Sequence, residues 1–190
     1  MRLVLTGASG QGKTTLAQEL ERVARLRHIE TDALYHGPNW QACSADVLVE
    51  RVLAATEGDN WVIDSAYHQV IGYTAADRGD LIVWLDLPVR ISMWRLVRRT
   101  WTRGRAKTPL WNGNVERLGW DSVRYLLWPA LRNGVRNPRV IPRRYAGYRL
   151  TRLRSQAEVR QFVQSIQAQT SMSGSSSDSA RQKTPPLLET

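Results

Sequence analysis

Gly7, Gly12, Lys13 and Thr14 stand in the spacing G-x-x-x-x-G-K-T, and each residue type in that pattern suits one task in holding a phosphate. Gly7, Gly10 and Gly12 allow positive φ and keep Cβ atoms away, so the main-chain N–H groups from Gly7 through Ala8, Ser9, Gly10, Gln11 and Gly12 can turn inward around an anion. Lys13 supplies an ammonium for the β and γ phosphate oxygens, and Thr14 a hydroxyl for Mg²⁺, with Thr15 completing the run at the start of a helix. Context separates this stretch from an ordinary glycine-rich turn. The strand-like run Leu3–Leu5 precedes it, and Leu16, Ala17, Leu20, Val23 and Ala24 follow at helical spacing.

Binding a nucleotide is not yet transfer, which also needs a metal anchor, a placed acceptor and charge neutralisation. Two carboxylates compete for the metal. Asp64 ends the apolar run Trp61–Ile63 and Asp86 ends Ile82–Leu85; either fits the acid that anchors Mg²⁺ at the carboxyl edge of a buried strand. Asp64 is preferred, because Asp86 has an alternative use at the start of the helix after Pro88. Asp32, in IETDALYHGPNW, follows another short strand and is expected to face the ligand crevice beside Tyr35, His36 and Trp40, holding an acceptor hydroxyl; a helix cap ahead of Ala33 is its competing role. In the segment Pro88 to Arg105, Ile91, Trp94, Val97 and Trp101 form one apolar face expected in the core. Arg95 and Arg99 sit four apart on its flank and suit a phosphoryl clamp, with Arg103 and Arg105 further along toward the nucleotide. His28, His36 and His68 show no spacing for a metal site.

These residues need a scaffold. Strand-like runs occur at Arg2–Thr6, His28–Glu30, Trp61–Asp64, Leu81–Leu85 and Tyr148–Leu153, alternating with helical patterns, which predicts a three-layer α/β fold on a five-stranded parallel sheet. Ser44 is placed to cap one helix, and Ser155 with Glu158 has capping-box spacing ahead of the last. Residues 1–169 are expected to form one domain. Within it, residues 102–145 are punctuated by Gly104, Pro109, Asn112-Gly113, Pro129, Gly134, Pro138 and Pro142, and read as short helical pieces in an Arg-rich lid over the strand ends. Residues 170–190 are Ser-rich and poor in groups to bury, the composition of a disordered tail.

Among 190 residues there is a single cysteine, Cys43, so no intramolecular disulfide forms. Without an apolar leader or a run long enough to span a bilayer, the sequence is expected to be cytoplasmic and free of membrane contact. Charge is unevenly placed: residues 1–89 carry 7 Lys/Arg against 12 Asp/Glu, and residues 90–160 carry 18 against 3. The basic part is nearly all arginine, whose fork suits phosphate, so it could serve a nucleotide lid or bind nucleic acid; a solvated surface is the plainer use.

The set GASGQGKTTLA, IETDALYHGPNW, WVIDSAY, LIVWLDLPVRISMWRLVRR and PLWNGNVE resembles the adenylate-kinase-related P-loop proteins often labelled DNA topology modulation proteins, over about residues 1–168. The resemblance implies a nucleoside-monophosphate-kinase-like fold, ATP at Gly7–Thr14, Asp64 on the metal side, Asp32 in the acceptor site and Arg95 to Arg105 leading into a lid. Ser65 and Ala66 stand where these relatives usually have Gly-Asn, and Val115 where an arginine is expected. The leading expectation is an ATP- and Mg²⁺-dependent kinase for a small acceptor, nucleoside- or nucleotide-like. The alternatives are a nucleic-acid-binding ATPase or DNA topology modulator, and a non-catalytic nucleotide-binding protein.

Overall fold

The computed structural model describes residues 1–65, 67–106, 111–114 and 120–181, and their side chains except those of 100, 103–106, 111, 120–127, 129–130 and 173–181. The expected nucleotide contacts of Arg103 and Arg105, and the departures at Ala66 and Val115, therefore fall outside the described residues.

Five strands, β1 (Arg2–Thr6), β2 (Arg27–Ile29), β3 (Trp61–Ile63), β4 (Leu81–Leu85) and β5 (Leu150–Leu153), form one sheet in the order β2-β3-β1-β4-β5. Every pairing is parallel, with Val4 opposite both Ile63 and Ile82. β1 is central, and the chain leaves it toward β2 on one side and later β4 on the other, so its carboxyl end is the switch point where such sheets leave a crevice. β5 starts later than the Tyr148–Leu153 run suggests, because the Tyr148 N–H closes a turn on the Tyr145 carbonyl (3.0 Å) instead of entering the ladder.

Strand alternation splits the core into two faces. Val4, Trp61, Ile63, Ile82 and Trp84 pack against α3 (Ala45–Ala55), the short α4 (His68–Ile71) and α5 (Thr74–Arg78), and Ile141 and Tyr145 at the end of α7 (Trp120–Arg144). Leu3, Leu5, Val62, Val83 and Leu85 face α1 (Lys13–Ala24) and α8 (Gln156–Arg181). Ser44 caps α3, accepting from Val47 N, and Ser155 accepts from Glu158 N at 3.1 Å, while Glu158 returns to Arg154 N at 2.9 Å. The remaining helices are α2 (Thr31–Tyr35), directly after β2, and α6 (Val89–Ala106), after β4.

Three expectations are corrected. The stripe Trp94, Val97, Trp101 of α6 faces outward, 62%, 48% and 59% exposed, while Ser92 and Leu96 are buried. The inward face of α6 meets the glycine loop, Gly10 lying against the Ser92 carbonyl and Leu96 Cβ; outside, the Arg98 guanidinium covers the Trp94 ring at 5.3 Å. Residues 120–144 form one helix instead of short pieces, although Pro129, Pro138 and Pro142 lie in it. Gly134 and Ile141 are buried on its inner side, with Val89 closing over Gly134, and that packing outweighs the hydrogen bonds the prolines forfeit. Lastly, α8 continues past Gln169 to Arg181, with Thr170 and Ser171 hydroxyls donating to the Ile166 and Gln167 carbonyls at 3.0 Å each.

Candidate active site

The chain turns sharply at the end of β1. Gly7, Gly10 and Gly12 have φ of 144°, 80° and 92°, which L side chains rarely adopt. Close approach matters as much as φ at Gly10, where a Cβ would lie 2.3 Å from the Ser92 carbonyl oxygen of α6. Gln11 turns its side chain into the protein, accepting from Ala8 N–H at 3.0 Å and donating to the Leu87 carbonyl at 3.2 Å. Its amide thus ties the loop to the segment after β4. Helix α1 begins at Lys13 with Gly12 as its left-handed N-cap and no side-chain cap, leaving its first N–H groups to an anion.

Lys13 Nζ donates to the loop's own carbonyls, Gly7 O at 3.1 Å and Ala8 O at 3.2 Å. Burial holds its pKa below the usual ammonium range, against the pull of Asp64 and Asp32 and with a push from Arg99. Thr14 Oγ1 donates to Asp64 Oδ2 at 2.8 Å. Parallel pairing places Asp64 there, since β3 lies beside β1 and its carboxyl end meets the loop. Asp64 Oδ1 accepts from Thr31 N–H at 3.3 Å, and His28 Nε2 stands 3.4 Å from Oδ2. Burial opposes ionisation of Asp64, but the nearby His28 ring and the Thr14 hydrogen bond prevail and its pKa falls below the ordinary value. Burial likewise opposes protonation of His28, and Asp64, Glu30 and Glu21 outweigh it, raising its pKa.

A threonine hydroxyl and an ionised carboxylate at hydrogen-bond distance are hard oxygen donors that fit Mg²⁺, an ion that takes few protein ligands and completes its shell with phosphate and water. Among the described residues no cluster of three or more His, Cys, Asp or Glu could hold a metal ion by itself. Asp86 is committed elsewhere: Arg152 Nε donates to its Oδ2 at 2.9 Å.

Asp32 lies on α2 and shares the cleft with Asp64, Lys13, Arg95 and Arg99, in a cavity of about 1120 Å³ lined by the whole run Gly7–Thr15. Arg95 reaches the loop, its Nη1 3.4 Å from where Gly12 would carry a Cβ. Asp32 Oδ1 accepts from the Tyr67 hydroxyl at 2.6 Å, and burial together with that carboxylate pushes the Tyr67 pKa far up. Of the aromatics expected beside Asp32, Tyr35 packs on His36 and Tyr67, and His36 on Trp40. The loop after α2 is held from across the chain. Asn114 accepts from Trp40 N–H and donates to the Gly37 carbonyl, both at 2.9 Å, and Asn112 donates to the His36 carbonyl at 2.6 Å.

Sequence reasoning missed His28 and Tyr67. Each meets its carboxylate only through folding, across 36 and 35 positions of chain, and neither sits in a recognisable spacing. The signal for His28 was its place on the strand ending at the Asp32 segment, beside the strand ending at Asp64.

No protein-family model matches the chain, and no curated protein matches it by sequence. Solved structures do. A shikimate kinase from Bacteroides thetaiotaomicron is 18% identical with a TM-score of 0.51, over 88% of this chain and 96% of that one. A shikimate kinase from Acinetobacter baumannii in complex with shikimate is 17% identical with a TM-score of 0.52, over 91% and 93%. A gluconokinase from Sinorhizobium meliloti 1021 is 16% identical with a TM-score of 0.47, over 96% and 97%. At such identities the likeness is one of fold: the chain has the five-stranded parallel α/β architecture of P-loop kinases of the nucleoside-monophosphate-kinase type.

Proposed function

We propose that the protein is an ATP- and Mg²⁺-dependent kinase for a small hydroxyl-bearing acceptor. The observation that carries this reading is the convergence on one cleft of the Gly7–Thr15 loop, the Thr14–Asp64 pair, Asp32, Arg95 and Arg99. The loop N–H groups and the α1 N-terminus hold the phosphates. Lys13 leaves its loop carbonyls for the β and γ oxygens, while Thr14 and Asp64 hold Mg²⁺, which neutralises phosphate charge when bound. Asp32, fixed by Tyr67, orients the acceptor hydroxyl and takes its proton as the acceptor oxygen bonds to the γ phosphorus. The bond from that phosphorus to the β–γ bridging oxygen breaks, and ADP leaves with the electron pair. Arg95 and Arg99 balance the charge that develops, an effect worth about 10²–10³ in rate per well-aimed donor.

The motif resemblance to the adenylate-kinase-related proteins labelled DNA topology modulation proteins supports the same loop, metal and acceptor assignments, and the fold likeness to shikimate kinases supports a small acceptor. The test is transfer of label from γ-labelled ATP to a panel of nucleosides, nucleotides, hydroxy acids and sugars. One acceptor labelled by the wild type and not by Lys13→Ala supports the reading; ATP binding with no acceptor labelled leaves a nucleotide-binding protein. A second reading, nucleic-acid binding, is favoured by one observation: Trp94 and Trp101 of α6 and Trp128 of α7 are more than half exposed in an arginine-rich surface. Single-stranded DNA affinity that falls steeply with salt and survives Asp32→Ala supports it.

A further inference from the structure

Tyr67, just before α4, has a left-handed backbone, with φ of 40° and ψ of 32°. A bulky side chain adopts that conformation only where its surroundings enforce it. Three contacts do so. Its carbonyl accepts from the Val70 and Ile71 N–H groups at 2.8 and 3.1 Å, its ring packs on Tyr35 with centroids 5.0 Å apart, and its hydroxyl donates to Asp32 at 2.6 Å.

That hydroxyl stands where the kinase reading puts an acceptor. Asp32 is the carboxylate proposed to orient an acceptor hydroxyl, and among the described residues the hydroxyl it accepts from is that of Tyr67. Tyr67 also lines the cleft together with the whole Gly7–Thr15 loop. Burial first, and the Asp32 charge second, raise the Tyr67 pKa, with the Asp64 charge adding to the shift. The hydroxyl therefore keeps its proton at neutral pH and needs a base to release it. Asp32 already receives the hydrogen bond through which that proton would pass. Thr14, another hydroxyl in the cleft wall, is instead given to Asp64 on the metal side.

We propose that Tyr67 is a self-modification site: with Mg·ATP in the loop and no small acceptor present, the protein transfers the γ-phosphoryl group to its own Tyr67 hydroxyl. The proposal rests on the kinase reading, which supplies the ATP and Mg²⁺. Tyr67 Oη bonds to the γ phosphorus and its proton passes to Asp32. The bond from that phosphorus to the β–γ bridging oxygen breaks, and ADP leaves with the electron pair. A phosphate on Tyr67 sets a charge of about −1.5 to −2 against Asp32 and fills the acceptor's place, so the modified protein is closed to a small acceptor.

The test incubates the full chain, first freed of phosphate by an immobilised phosphatase, with Mg²⁺ and ATP alone, and locates phosphate by mass spectrometry of its peptides. Calorimetry with Mg²⁺ and the ATP analogue AMP-PNP runs beside it. The expected result is one phosphoryl group on Tyr67, gained at a rate per molecule that does not change with protein concentration. Lys13→Ala is expected to slow it about 10²-fold or more. Asp32→Asn, which keeps an oxygen for the hydroxyl but takes no proton, is expected to slow it about as much with AMP-PNP affinity unchanged. AMP-PNP that binds while Tyr67 stays unmodified, or phosphate found only on other residues, overturns the proposal on the wild-type protein alone and leaves the kinase reading standing. Phosphate that Tyr67 gains as fast in Lys13→Ala, or at a rate that rises with protein concentration, overturns it too, because the transfer is then not made within this cleft. Should AMP-PNP fail to bind, the kinase reading and the proposal fall together.

Discussion

Lys13 and Asp32 are both held by local partners that their proposed roles require them to leave or share. Lys13 bonds the Gly7 and Ala8 carbonyls, and Asp32 accepts the Tyr67 hydroxyl. The second bond makes a direct prediction. Tyr67→Phe removes the donor but keeps the ring, so Asp32 loses its orientation while the loop is untouched. Turnover with a given acceptor is expected to fall about tenfold or more, in the range that loss of a positioning partner produces, while Mg·ATP affinity stays constant. Equal loss of both in steady-state kinetics and calorimetry contradicts the assignment. At this scale the sequence was most legible where the chemistry is local. The Gly7–Thr15 run needs no other segment to announce it, and the positive φ expected at its three glycines is what the loop adopts. Position preferred Asp64 over Asp86 only through the helix start after Pro88; the structure adds a threonine beside the one and an arginine beside the other. Neither neighbour is close in sequence.

The elements place these groups by two close contacts, one at the loop and one behind the sheet. Gly10 lets the loop lie on Ser92 of α6, so Gly10→Ala places a methyl 2.3 Å from a carbonyl oxygen at a φ of +80°. It is expected to cost about 1–3 kcal/mol of stability in urea unfolding and to abolish Mg·ATP binding; a variant as stable and as tight as wild type contradicts the packing described. Behind the sheet, the Tyr148 hydroxyl donates to Asp77 at the end of α5. That bond first, and burial second, push the Tyr148 pKa up to about 12. A folded-state pKa above the unfolded value of about 10 means that the contact contributes in full below pH 10 and is lost as pH rises through about 12. The stability gap between wild type and Tyr148→Phe is therefore expected to close over that window; a gap constant from pH 8 upward contradicts it. Strand positions were readable from apolar runs, because a parallel sheet buried on both faces leaves no other pattern. The facing of α6 was not. Its tryptophans have the right period for a core stripe, but the face that meets the glycine loop is the one carrying Ser92, Arg95 and Leu96.

Across the whole molecule, the uneven charge in the sequence meets in the cleft beside the loop. Asp32 and Asp64 come from the acidic first part of the chain, and Arg95 and Arg99 from the basic part that follows. The carboxylates proposed for metal and acceptor thus share a cavity with the guanidiniums proposed for phosphate, a mixture of charge suited to a polyanionic ligand with its cation. Among the described residues no helix is long and apolar enough to cross a membrane. Sheet order and the loop at its switch point locate the cleft, whereas the continuous course of α7 is concealed by the prolines in its sequence. The most direct measurement of the central claim is calorimetric titration of ATP into the wild type and Lys13→Ala, each with and without Mg²⁺. One Mg²⁺-dependent site in the wild type, weakened tenfold or more by the substitution, is the expected result. Absence of binding with Mg²⁺ present, or binding that Lys13→Ala leaves unchanged, contradicts it.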